Sequence, residues 1–155
     1  MNGDIRAPLR AIIFDIDGTL ADGAHRVGHI QRTDGKPKDW DAYFAALSDD
    51  APIPHLCEIA DCLQTYFHII YVTGRPEEYA DATREWIDRH RLPVGTLYAR
   101  PRGDRRDDDI VKIELLSRIR ADGYEPIMAF DDRTRVVRAW RAAGIPCAQV
   151  AEGDF

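Results

Sequence analysis

Short apolar runs alternate along this chain with longer stretches whose apolar residues recur every three or four positions, the signature of strands and helices taking turns. The runs that predict strands cover residues 9–16, 67–73, 96–99, 126–130 and 145–150. A helix is expected around 55–66. Between the second and third runs, Pro76 suits a first helical position, Glu77 and Glu78 suit its first turn, and Tyr79, Thr83, Trp86 and Ile87 fall on one face. That helix is expected to end near Leu92 and Pro93. From Arg133 onward, Val136, Val137 and Trp140 form another apolar stripe, with Gly144 as its stop ahead of Pro146. Trp86 and Trp140 therefore read as core residues. The alternation predicts an α/β fold of βαβ units around a central parallel sheet of about five strands.

Residues 22–51 break the pattern. They hold glycines, the polar run DGKPKDWD and a short amphipathic piece, DWDAYFAAL. The segment reads as a loop with a small helical excursion inserted after the first strand, and as a candidate small cap. Trp40, Tyr43 and Phe44 are spaced with Leu47 as on a helix, which favours packing over a second reading, a stacking platform for a nucleobase. There is no internal repeat or low-complexity tract.

Composition narrows the setting. A chain of 155 residues with 45% hydrophobic content suits one domain spanning 1–155. The first ten residues are polar, and AIIF is far too short for a secretory core or a membrane span, so a cytoplasmic protein without a membrane partner is expected. Cys57, Cys62 and Cys147 are odd in number and lack CxxC spacing, which predicts buried free thiols. A net charge of -6 opposes binding along an extended nucleic-acid duplex, yet suits a phosphorylated nucleotide or the end of a strand.

The polar residues that carry chemistry gather at predicted strand ends. Asp15 and Asp17, two apart, leave the same face of the first strand, and Gly18 lets the chain turn beyond them. In an open parallel sheet the ligand crevice lies past the carboxyl ends of the strands. There the second strand offers Thr73 and Arg75 in VTGR, the fourth offers Asp131 and Asp132 in FDDR, and the helix after the third places Asp108 and Lys112 four apart. Such a set suits phosphoryl transfer. An oxygen-rich site holds Mg²⁺, a lysine neutralises phosphoryl oxygens, and a carboxylate attacks phosphorus. Two adjacent carboxylates also separate in pKa, leaving one as nucleophile and one as proton carrier. Asp22 reads as the first polar residue of the insertion and Asp109 as a solvent-facing neighbour of Asp108. His25 and His29 lack a third metal ligand, and contact with a substrate phosphate is the better of their two functional readings. Arg100, Arg102, Arg105 and Arg106 are balanced by nearby aspartates, which leaves a solvated loop and a grip on a strand end as equal alternatives.

The motifs DIDGTLAD, the VTGR threonine, Lys112 and the DD pair resemble the four motifs of the haloacid dehalogenase (HAD) superfamily, in the right order on the right strand ends. The segment GDRRDDDIVK and the run FDDRTRVVRAWRAAGIPCAQVAEGDF are similar, more closely, to the 3′-phosphatase domain of phage polynucleotide kinase/phosphatase. The resemblance implies a Rossmann-like, three-layer α/β/α core. It implies Asp15 as the nucleophile that becomes an aspartyl-phosphate, Asp17 as general acid and base, and Thr73 and Lys112 as holders of the phosphoryl group. Mg²⁺ would be bound by Asp15, the main-chain carbonyl of Asp17, and Asp131 with Asp132. Arg26, Gly74, Arg75 and Asp108 would serve substrate binding.

The expected function is thus an Mg²⁺-dependent phosphomonoesterase acting on a 3′-phosphate of a nucleic-acid end or nucleotide. A nucleoside monophosphate (5′-nucleotide) phosphatase is the first alternative. A phospho-accepting signalling or binding module without turnover is another, disfavoured because the third strand ends in YARP without an aspartate and because Asp17 would discharge an acyl phosphate. No GxxxxGK[ST] is present, so kinase activity is not expected of this sequence.

Overall fold

Five parallel strands make the central sheet of the computed structural model, which describes residues 7–153. The chain runs through β1 (Leu9–Phe14), β2 (Ala21–Asp22), β3 (Ala51–Pro52), β4 (His68–Pro76), β5 (Gly95–Arg100), β6 (Tyr124–Arg133) and β7 (Cys147–Gly153). The large sheet has the order β5-β4-β1-β6-β7, so β1 lies at its centre and strand order reverses on either side of it. The helices are α1 (Trp40–Ala45), α2 (Pro54–Leu63), α3 (Ala80–Arg89), α4 (Asp108–Ala121) and α5 (Thr134–Ala142).

The alternating side chains of the central strands explain the two helical layers. Ala11 and Ile13 of β1, with Ile70 and Val72 of β4, meet Val111, Leu115 and Ile119 of α4 and Val136, Val137 and Trp140 of α5. Ile12 and Phe14, with Ile69 and Tyr71, face the other way, onto Leu56 and Ala60 of α2 and Trp86 and Ile87 of α3. Both faces of the sheet are covered, which is why these strands read as continuous apolar runs. Each large side chain so buried contributes roughly 1.5–3 kcal/mol. The three-layer α/β/α arrangement is the one expected, and Trp86 and Trp140 are fully buried in it.

Several boundaries differ from the sequence reading. β1 ends at Phe14, so Asp15 and Asp17 lie just past the strand. Pro76 does not open a helix. It is extended, with φ -61° and ψ 152°, and pairs with Arg100 as the last residue of β4; a 3-10 turn, Glu77–Tyr79, precedes α3. The pairing of β4 with β5 skips from Thr73 to Pro76, so Gly74 and Arg75 form a bulge that swings the arginine out of the ladder. Ile145 is buried ahead of β7 and does not belong to it.

The insertion also has more order than a loop. β2 and β3 pair antiparallel, closing residues 23–50 at their base like a drawstring. Within it come a 3-10 turn, Ala24–His29, then α1 capped by the Asp39 side chain on the Ala42 amide, then a second turn, Ala46–Asp49. Ribbons of two-residue strands leave no sequence period, hence their omission from the reading. The cysteines are free as expected, but only Cys147 is buried; Cys62 is exposed on α2. Residues 1–6 of the polar N-terminal stretch, and the last two of the C-terminal run, lie outside the described residues. No described helix is long and apolar enough to cross a membrane.

Candidate active site

Asp15 is tied to the central sheet by its amide, which donates to the Phe130 carbonyl at 3.0 Å. Lys112 rises from α4 to meet it. Its Nζ lies 2.7 Å from Asp15 Oδ1, 2.9 Å from Asp131 Oδ2 and 3.4 Å from Asp108 Oδ2, one turn back on the same helix. All four side chains are buried or nearly so. Trp140 Nε1 also donates to Asp131 Oδ2, at 3.3 Å, and the Arg133 amide donates to Oδ1 at 3.2 Å.

Oxygens of Asp15, Asp131 and Asp132 lie within 4.8 Å of one another, a grouping able to hold a metal ion. Among the described residues Asp132 Oδ1 is buried and has no hydrogen-bond partner. Lys112 and Arg133 are shared with a fourth carboxylate, Asp108, and the donor set is all hard oxygen, so the residues fit a small divalent cation. Gly18, at φ +85°, is required here, because a Cβ would run into the Asp132 carboxylate. Burial pushes the Asp15 carboxyl well above the ordinary range; Lys112 opposes the shift, while Asp131, Asp132 and Asp17 add to it. Burial and Asp131 likewise raise Asp132 to about 6. Burial would lower Lys112, but Asp108, Asp131 and Asp15 outweigh it and keep the ammonium charged.

Asp17 has different company. Its carboxylate is engaged by two arginines and is not among the grouped oxygens of Asp15, Asp131 and Asp132. Arg75 donates from Nε to Asp17 Oδ2 at 2.9 Å and from Nη2 to Oδ1 at 2.7 Å, and Arg26 Nη2 pairs with the same Oδ1. Burial works to raise this carboxyl, yet Arg75 and Arg26 overcome it and hold Asp17 at about 2. The proton affinities thus run opposite to the expected roles, with the nucleophile candidate raised and the acid candidate lowered.

Behind the arginines stands Asp50, which the sequence reading missed. Arg26 binds it through Nε and Nη2, both at 2.7 Å, and Arg75 Nη2 reaches Oδ2 at 2.8 Å. His25 Nε2 adds a contact at 3.0 Å, and Trp86 Nε1 donates to the Asp50 carbonyl at 2.8 Å. Both guanidinium side chains are fully buried. Nothing in the sequence distinguishes Asp50 from Asp49 beside it; only the β2–β3 ribbon brings it under the site.

The remaining expected residues divide. Thr73 is buried and its hydroxyl accepts from the Arg75 amide at 3.1 Å, which leaves its proton free to donate. Gly74 lets α4 approach, since a Cβ there would strike the Asp108 carboxylate. Asp108 gathers Lys112, Arg100 at 3.1 Å and Arg133 at 3.8 Å. Arg100 is a staple of the fold, donating to the Gly74 carbonyl at 2.9 Å and the Arg106 carbonyl at 2.7 Å. Arg106 pairs with Asp104 and Glu114, and Arg102 lies exposed. His29 is exposed and takes no part in the cluster around Asp50. Asp22 is exposed and caps the Ala24 amide, whereas Asp109 is half-buried against Arg135 and does not simply face solvent.

A DxD turn at the end of a central parallel strand, a hydroxyl on the next strand, a helix-borne lysine and a paired aspartate define a phosphatase of the HAD superfamily. The profile of the polynucleotide kinase PNKP phosphatase domain matches residues 9–155, and the chain belongs to that family. A protein of Autographa californica nuclear polyhedrosis virus described as a bifunctional polynucleotide kinase/RNA ligase is 29% identical over 141 residues, 88% of this chain and 18% of the viral protein. A chain of the Pnkp1/Rnl/Hen1 RNA repair complex superimposes with a TM-score of 0.78 at 25% identity, covering all of this chain and 46% of that one. The chain therefore spans less than half the length of these relatives. The class C acid phosphatase of Bacillus anthracis shares the fold, with a TM-score of 0.64 at 15% identity over 93% of this chain and 69% of that one. Phosphatases of this superfamily generally use a divalent metal, in keeping with the acidic group.

Proposed function

We propose that the chain removes a 3′-phosphate from a nucleic-acid end through an aspartyl-phosphate on Asp15. The observation that carries this reading is the unlike company of two carboxylates two residues apart: Asp15 among a lysine and two further aspartates, Asp17 between two arginines. The family match and the RNA-repair relative support the nucleic-acid end as substrate.

Asp15 attacks phosphorus, forming a bond from its carboxylate oxygen as the bond to the leaving 3′-oxygen breaks. Lys112 and the Thr73 hydroxyl hold the phosphoryl oxygens. Asp17 delivers its proton to the leaving oxygen, then takes one from the water that attacks phosphorus and frees Asp15. Asp15, Asp131, Asp132 and the Asp17 carbonyl would hold a divalent metal, Mg²⁺ in this reading, which would supply charge neutralisation at the phosphoryl group.

Asp17 must be protonated for the first step. An entering phosphate dianion competes for Arg26 and Arg75, and each guanidinium drawn toward it releases the Asp17 carboxyl toward its ordinary pKa. Substrate binding and arming of the acid are then one event. The deciding experiment compares phosphate release from 3′-phosphorylated oligonucleotides, 5′-phosphorylated oligonucleotides and mononucleotides, with Mg²⁺ and with EDTA. The 3′-ends should be preferred at least about tenfold and EDTA should stop turnover. A preference for 5′-nucleotides would establish the nucleoside monophosphatase instead.

A further inference from the structure

Arg26 comes from the insertion, and the insertion also surrounds its guanidinium. Asp50 takes Nε and Nη2, each at 2.7 Å, and the Tyr43 carbonyl takes Nη1 at 3.4 Å. Nη2 is shared with Asp17. Cζ lies over the Tyr43 ring, 4.1 Å from its centre. Gly23 comes close to the same group, since a Cβ there would stand 3.0 Å from Nε and from Nη2 and 3.1 Å from Cζ. With these neighbours in place the Arg26 side chain is fully buried.

Tyr43 is itself braced. Trp40 and Phe44 meet its ring edge-on at 5.7 and 5.2 Å, and Phe44 lies 5.1 Å from Tyr79 of the turn before α3. These rings pack on one another, as their helical spacing predicts. Burial raises the Tyr43 phenol above its ordinary range, so a neutral ring faces the cation, the arrangement in which a desolvated guanidinium gains most from an aromatic face. Gly23 has φ -95° and ψ 16°, a conformation that residues with side chains adopt in type I turns. Its missing Cβ therefore serves the approach of the guanidinium and not the turn. Gly23, Arg26, Tyr43 and Asp50 all lie in the segment that the β2–β3 ribbon closes.

We propose that Gly23 and Tyr43 are positioning residues that clamp the Arg26 guanidinium and, through it, aim the Asp17 carboxyl at the leaving oxygen. The inference rests on the reading of Asp17 as general acid and deepens it, giving the insertion a part in catalysis without contact to substrate. A proton carrier misplaced by about 1 Å costs on the order of a hundredfold in rate, and the cost falls on esters whose leaving oxygen needs the proton. An alkoxide needs it far more than a nitrophenolate, which departs as a stable anion. A clamp acting through Asp17 thus shows as a bias between leaving groups, whereas loss of folded protein lowers both rates alike.

The test divides kcat on thymidine 3′- or 5′-monophosphate, whichever the wild type hydrolyses faster, by kcat on para-nitrophenyl phosphate. Asp17→Asn sets the scale and should lower this ratio at least about a hundredfold. Tyr43→Ala should lower it about tenfold, and Tyr43→Phe, which keeps the ring, should restore it. Gly23→Ala pushes the guanidinium by a few tenths of an ångström and should lower the ratio about threefold. In an Arg26→Ala background, adding Tyr43→Ala should change the ratio less than about twofold, because its route to Asp17 is already gone. A ratio at the wild-type value in either Tyr43→Ala or Gly23→Ala, or an equal fall with and without Arg26, overturns the clamp and leaves the acid reading in place. An Asp17→Asn ratio equal to that of wild type, or a wild type that hydrolyses the aryl ester alone, overturns both.

Discussion

Asp17 and Asp50 set the terms at the scale of single residues. Three charged side chains, Arg26, Arg75 and Asp50, are buried together beside Asp17, and such a group is tolerable only while every member keeps its partners. Removing Asp50 leaves two buried guanidiniums sharing one carboxylate. Asp50→Ala should cost about 3–5 kcal/mol in urea unfolding, and Asp50→Asn, which keeps the shape, should lower kcat/KM while costing less stability. Equal stability of Asp50→Ala and wild type would mean that water replaces the lost carboxylate. Asp15→Asn should lower kcat by at least about three orders of magnitude, since the covalent route needs that oxygen. For Arg26→Ala the loss should be larger on a nucleotide substrate than on an aryl phosphate; equal losses would place Arg26 on the phosphoryl group or the fold instead.

At the scale of elements, two contacts of β4 decide how closely its neighbours approach. The bulge at Gly74 and Arg75 lets the arginine leave the ladder, and the missing Cβ admits the first turn of α4 with Asp108. Gly74→Ala should cost about 1–3 kcal/mol by overpacking and lower kcat/KM about 100-fold by displacing Asp108 and Lys112. An unaltered kcat/KM would show that the helix can give way. Earlier in the strand, Tyr71 donates its phenol to the Pro93 carbonyl at 2.6 Å and anchors the connection from α3 to β5. Tyr71→Phe should lose about 1 kcal/mol at pH 7. Burial raises the Tyr71 pKa above its ordinary value of 10, so the stabilisation is fully present below pH 10 and is lost as pH rises through the higher folded value. Absorbance titration should show Tyr71 and Tyr98, the latter donating to Asp122 at 2.6 Å, ionising well above the ordinary tyrosine range. The strands and the long helices were legible because their apolar periods are local and strong. Pro76 was misread because the β4–β5 pairing, made by residues far along the chain, outweighed its suitability for a first helical turn.

The whole molecule adds a charge problem. Asp15, Asp131 and Asp132, with Asp108 beside them, share Lys112 and Arg133 inside a chain already at -6, and a divalent cation bound there would relieve the surplus in the folded state alone. A ligand at a hundred times its Kd stabilises by about 2.7 kcal/mol, which for a chain of this size is a rise in Tm of about 5–10 °C. Mg²⁺ should produce such a rise, EDTA should reverse it, and Asp132→Asn should shrink it. No change in Tm at millimolar Mg²⁺ would mean that the cluster holds no such ion. The measurement reads binding alone and does not depend on which substrate is hydrolysed.

From its order of residues the chain determined the parallel sheet, its two helical layers and the meeting of Asp15, Thr73, Lys112, Asp131 and Asp132 at one edge. Burial of apolar surface is non-directional, so a periodic pattern suffices to assign faces, and strand ends inherit their neighbours from the sheet. Tertiary structure alone decided the ion pairs: Asp50 on Arg26 across 24 positions, Arg75 on Asp17 across 58, Lys112 on Asp15 across 97. These depend on direction and distance, and one aspartate resembles another in sequence. Hence Asp17 could be expected as the proton carrier from its motif, while its being held at about 2 by Arg75 and Arg26 became visible only with the guanidiniums in place.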